Sequence, residues 1–153
     1  MTSRPSPAES PCRLVLDTNV WLDLLVFEDP RCAALAVALD TGRALALIDA
    51  ACRAEWPRVL AYPALQLSAQ AQQALVRQLD ALAVRCEEAR PEDARPVLRC
   101  RDKDDQKFLA LALRAHAQAL LSRDQALLEL AARSRRLGLF GICPPDQWQP
   151  GLA

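Results

Sequence analysis

RLVLDTNVWLDLL, residues 13–25, is the stretch on which the reading of this chain turns. Leu14, Val15 and Leu16 form a short apolar run suited to a strand buried on both faces. The run stops on a carboxylate, Asp17, and from Asn19 to Phe27 the pattern becomes helical, with Val20, Leu24 and Phe27 on one face. A strand that ends on an acid and passes directly into a helix is half of a parallel strand–helix–strand unit.

The same unit recurs along the chain. Residues 43–49, RALALID, read as a second strand, again closing on an acid, Asp49. AVRCEEA (83–89), AQALLS (117–122) and LFGIC (139–143) read as three more. Between them, helices are predicted over 32–39, over 50–60 with a disturbance at Pro57, and over 69–82 behind the N-cap Ser68. Another opens at Asp102 and buries Phe108, Leu109, Ala112 and Leu113, and a last one spans 125–136, closed by Gly138. Residues 61–65 read as a loop, 90–101 as a charged Pro-rich connection and 144–150 as a tail. Strands alternating with helices imply a parallel sheet covered by helices on both faces.

A length of 153 residues suits one domain with a sizeable core. Residues 1–12, rich in Pro and Ser with no apolar segment, read as a disordered tail ahead of a domain over 13–149, and 150–153 as a C-terminal tail. No apolar run is long enough to span a membrane, so a cytoplasmic protein is expected. Nineteen basic residues balance nineteen acidic ones, so contact with nucleic acid needs a local patch rather than a global field. The six Cys form no C-x-x-C pair and His116 is the sole histidine, which argues against a zinc site and for reduced, mostly buried thiols.

In an open parallel sheet, ligands sit at the carboxyl ends of the strands. Asp17 and Asp124 fall at that edge, and the helix starts that follow carry Glu55 (AACRAEWPRVL) and the run Asp102, Asp104 and Asp105 (CRDKDDQKFLALAL). Each has a structural reading by itself: Asp17, Asp102 and Asp124 as caps or turn residues, Asp105 as a first-turn acid, Glu55 as a solvated side chain. Converging carboxylates repel one another, and a divalent cation resolves that repulsion. An all-carboxylate set without His or Cys suits Mg²⁺ or Mn²⁺.

In this order and spacing, the motifs resemble the PIN-domain family, including VapC-like ribonucleases and the branch described as toxin components of toxin–antitoxin systems. RLVLDTNVWLDLL is similar to that family's opening strand with its first acid, Asp17, and EWPRVL to the segment carrying the second, Glu55. RDKDDQKFLALAL resembles the Arg-Asp-Pro-Asp-Asp motif, with Lys103 in place of Pro and the third acid on Asp105. LLSRDQALL is similar to the strand, Thr-x-Asp, helix segment, with Ser122 at the Thr position and Asp124 as the fourth acid, and FGICPPDQW to the closing strand and tail.

The resemblance implies a three-layer α/β/α sandwich with a central, mainly parallel sheet. It also implies a metal-dependent endoribonuclease with Mg²⁺ or Mn²⁺ held by Asp17, Asp105, Asp124 and Glu55. Hydrolysis by in-line attack of an activated water would leave 5′-phosphate and 3′-hydroxyl ends. Asn19, Ser122, Asp102 and Asp104 are supporting candidates, and Arg99, Arg101, Lys103, Lys107 and Arg123 are candidates for holding RNA phosphates. The implied partners are RNA, a cognate antitoxin and a second copy of the chain. Two alternatives compete with this reading. A haloacid-dehalogenase-like phosphatase needs a second Asp where Asn19 stands. A catalytically degenerate PIN domain serving RNA binding or protein interaction would favour loss of acids, yet all four are present.

Overall fold

A computed structural model describes residues 10–87 and 97–150. Five parallel strands form one sheet: β1 (Cys12–Leu16), β2 (Ala44–Ile48), β3 (Ala83–Arg85), β4 (Ala119–Leu121) and β5 (Gly141–Cys143), in the order β3-β2-β1-β4-β5. Helices α1 (Thr18–Leu25), α2 (Ala33–Asp40), α3 (Ala50–Leu60), α4 (Ala69–Leu82), α5 (Gln106–Arg114), α6 (Gln125–Leu128) and α7 (Ala131–Arg136) flank it. The architecture is the expected α/β/α sandwich with a wholly parallel sheet.

β1 begins at Cys12, one residue before the expected start of the domain. The segments 1–9, 88–96 and 151–153 lie outside the described residues, and with them most of the N-terminal tail, much of the 90–101 connection and most of the C-terminal tail.

The strand order locates the site. From β1 the chain steps outward to β2 and β3, then returns to the other side of β1 as β4 and continues to β5. The direction of winding reverses between β1 and β4, which opens a crevice at their carboxyl ends. Leu16 pairs with Leu121, and the Asp17 amide donates to the Leu121 carbonyl at 3.0 Å, so Asp17 and Ser122 leave the sheet side by side. Leu14, Val15, Leu16, Leu120 and Leu121 are essentially inaccessible, which is why these strands read as unbroken apolar runs.

Three local features depart from the sequence reading. Pro57 lies inside α3 without ending it. Pro57 is exposed, while buried Trp56, Val59 and Leu60 hold the helix on both sides. The Trp56 indole also donates to the Leu75 carbonyl at 3.1 Å and ties α3 to α4. The helix expected over 125–136 is two helices, because the Leu130 amide turns back to Leu127 at 3.0 Å in a tighter bond and the axis breaks there. The final segment is packed, not loose: Pro145–Gln147 form a 3₁₀ turn that delivers Trp148, 3% exposed, into the core. All six thiols are free, with Cys32, Cys52 and Cys100 buried.

Candidate metal centre

Three segments bring aspartates to the crevice. β1 ends in Asp17, which occupies the N-cap position of α1 yet caps nothing with its side chain. Its Oδ2 instead accepts a hydrogen bond from Ser122 Oγ at 2.7 Å. Ser122 is fully buried, and its Oγ also accepts from the Asp124 amide at 2.9 Å. One hydroxyl therefore fastens the end of β1 to the turn after β4. Asp124 caps α6 through its Oδ1, which accepts from the Ala126 amide at 3.0 Å. Asp105 ends the 3₁₀ turn Lys103–Asp105 and leads into α5, again without a side-chain cap bond. Asp102 opens that turn and accepts from the Asp104 amide at 3.0 Å.

Asp102, Asp105 and Asp124 each place a carboxylate oxygen within 4.8 Å of the others. Asp105 is buried, and its Oδ2 meets no hydrogen-bond donor from the described residues. Burial, first of all, and then a hydrogen bond to Asp124 and the charges of Asp17, Asp124 and Asp102 push the Asp105 carboxyl up to about 8. Asp124 is held below the usual carboxylate range by the same bond and by the Ala126 amide. Close carboxylates resist ionising together, so the pair favours a shared proton, with Asp105 raised and Asp124 lowered. Burial raises Asp17 as well; the Ser122 hydrogen bond opposes this, and the charges of Asp124 and Glu55 add to it.

Such a cluster is deficient in positive charge. A buried oxygen without a donor, three carboxylates in reach of one point and no His or Cys among them fit a hard divalent cation such as Mg²⁺ or Mn²⁺.

Residues 13–126 match the family model described as PIN domain. The chain belongs to the PIN-domain family. The match spans Asp17, Glu55, Asp105 and Asp124, and a PIN domain is a nuclease fold. No curated protein matches the chain.

The PIN crevice arranges the sequence candidates unevenly. Asp102, grouped with the supporting residues, stands in the three-carboxylate cluster; Asp104 is exposed and stands outside it. The Asp-x-x-Asp spacing of Asp102 and Asp105 was the available signal, and it reads equally as a helix start. Asp17 adjoins the cluster through Ser122 rather than belonging to it. Glu55 turns to Lys107, with Oε2 at 2.7 Å from Nζ. Asn19 is exposed and makes no hydrogen bond to Asp17.

Among the basic candidates, Arg101 pairs with Glu129 at 2.9 Å on the open surface, where such a pair is worth little and leaves the side chain free to exchange partners. Arg99 and Lys103 are exposed and have no ion pair among the described residues. Arg123 is occupied: its guanidinium grips buried Asp23 with two bonds of 2.6 and 2.8 Å. This fork pins the Ser122–Asp124 turn to α1. Asp23→Ala should release the turn, costing about 1–2 kcal/mol of stability and about tenfold in any cleavage rate. Thermal melts and initial rates on one preparation check both. Asp49, at the end of β2, is spent on α3, accepting from the Cys52 amide at 2.9 Å and pairing with Arg114 at 2.8 Å.

Among the described residues, no helix is long and apolar enough to cross a membrane.

Proposed function

We propose that this PIN domain is an Mg²⁺- or Mn²⁺-dependent endoribonuclease, working as the toxin of a toxin–antitoxin pair. The observation that carries the reading is a three-carboxylate cluster in which Asp105 is buried with an Oδ2 that meets no donor among the described residues. Asp102, Asp105 and Asp124 would hold the ion, with Asp17 beside them. When bound, a divalent cation neutralises the cluster, lowers the pKa of a coordinated water and steadies the charge that develops on a phosphodiester.

The chain's own groups do the rest. Ser122 keeps Asp17 aimed into the crevice, and Asp124 is fixed by its cap bond to α6. Arg99 and Lys103, with Arg101 once it leaves Glu129, offer cations at the rim for the phosphates of a single strand. Glu55 stands close enough to Asp17 to repel it and would orient water beside it. The toxin role rests on the resemblance of the motifs to that branch of the family and implies an antitoxin that covers the acidic crevice.

The test uses purified chain, a panel of RNAs, Mn²⁺ or Mg²⁺, and EDTA as control. Cleavage should require the metal and fall by at least about 10²-fold in Asp17→Asn. Equal inertness of both proteins under every condition sinks the nuclease reading and leaves an RNA-binding or interaction module. Equal residual cleavage in both points to a contaminating enzyme.

A further inference from the structure

Lys107 is the one basic side chain in ion-pair contact with the proposed catalytic acids, among the described residues. It lies two positions after Asp105, in the first turn of α5, and its ammonium reaches Glu55 of α3. Its Nζ sits 2.7 Å from Glu55 Oε2 and donates to the Asp104 carbonyl at 2.5 Å. The ammonium thus bridges α3 to the turn that carries Asp104 and Asp105. Both side chains of the pair are about three-quarters buried, at 21% and 26% exposure, so the bridge is screened less than a surface pair.

The crevice divides in two. Asp102, Asp105 and Asp124 share one point and form no ion pair among the described residues, although the charge of Arg101 reaches Asp124. Glu55 and Asp17 lie close enough for their charges to repel, and there the compensating charge is already present, on Lys107. Glu55 Oε2 is buried and has no aligned hydrogen-bond donor, so its neutralisation rests on the charge of the ammonium.

We infer that Lys107 is a resident counter-ion occupying the place of a second divalent cation beside Glu55, so that the chain takes one metal ion and not two. This rests on the metal-dependent reading above. It makes Lys107 a positioning residue for Glu55 rather than a phosphate binder. Removing its charge leaves Glu55 and Asp17 uncompensated in a half-buried cleft, a setting that a divalent ion relieves.

The probe is Mn²⁺, titrated into the metal-free chain, with unbound ion counted by its electron paramagnetic resonance signal and folding checked by circular dichroism. The wild type should bind about one ion per chain and Lys107→Met about two, with Lys107→Arg and the double variant Glu55→Gln, Lys107→Met returning to about one. Lys107→Gln substitutes for the Met variant should that one fail to fold. Two ions in the wild type, or one ion in folded Lys107→Met and Lys107→Gln, overturn the inference and leave the nuclease reading standing. No saturable binding to any of these proteins overturns both.

Discussion

Asp105→Asn is expected to lower metal-dependent cleavage by about 10³-fold while making the metal-free protein more stable in mild alkali. The two effects have one cause. Folding buries a carboxyl that the native state holds up at about 8, far above its value in an unfolded chain. Between those two values the folded protein binds a proton that the unfolded chain has released. Stability therefore falls as pH rises from about 4 to about 8, and the loss is complete above about 8. Because Asp124 shares the proton and is held low, the net cost is on the order of 1–3 kcal/mol, or roughly 3–10 °C in melting temperature.

Asn carries no charge at any pH, so it matches the wild type near pH 5 and exceeds it at pH 9. Melting curves in EDTA from pH 5 to 9 read this directly. Saturating Mn²⁺ should abolish the slope in the wild type, since bound metal substitutes for the proton. Metal affinity should also climb with pH until it levels off near 8. A variant less stable than the wild type at every pH would mean that the Asp105 carboxylate is satisfied by the protein itself, and the case for a cation would fall with it.

Ser122→Ala should be the most damaging change outside the carboxylates. Ser122 is fully buried and its single hydroxyl serves two partners, donating to Asp17 and accepting from the Asp124 amide. Alanine leaves a buried carboxylate short of a donor and a backbone amide short of an acceptor, costing about 2–4 kcal/mol in all. Cleavage should fall by about 10²-fold, because Asp17 and the Asp124 turn lose their common anchor. The direction of the pH response distinguishes this from general loosening. The Ser122 bond lowers the Asp17 carboxyl against the rise that burial imposes, so removing it moves the acidic limb of the rate profile to higher pH. Ser122→Thr retains the hydroxyl and should keep that limb in place. An unshifted limb in the alanine variant would show that Ser122 does not govern Asp17.

The sequence by itself determined the architecture, because the signals for it are local. Unbroken apolar runs such as Leu14–Leu16 suit strands covered on both faces, and intervening helices favour a parallel sheet. The acids at strand ends followed from the same argument, since a parallel sheet puts every strand's carboxyl end on one edge. The helix over 50–60 is legible in the sequence, whereas how well it tolerates Pro57 depends on packing.

Only the tertiary structure decided which acids act together and which are spent elsewhere. Asp17, Asp49 and Asp23 are indistinguishable as residues near strand ends or in a helix. Yet Asp49 caps α3 and pairs with Arg114, Asp23 is consumed by Arg123, and Asp17 is left for the crevice. Asp102 reads as a cap and Lys107 as a candidate for holding RNA phosphates until the fold places one beside Asp105 and Asp124 and the other against Glu55. The physical reason is that charge compensation is a through-space property. Partners such as Asp23 and Arg123 lie a hundred residues apart in the chain, and no pattern along it records that they meet.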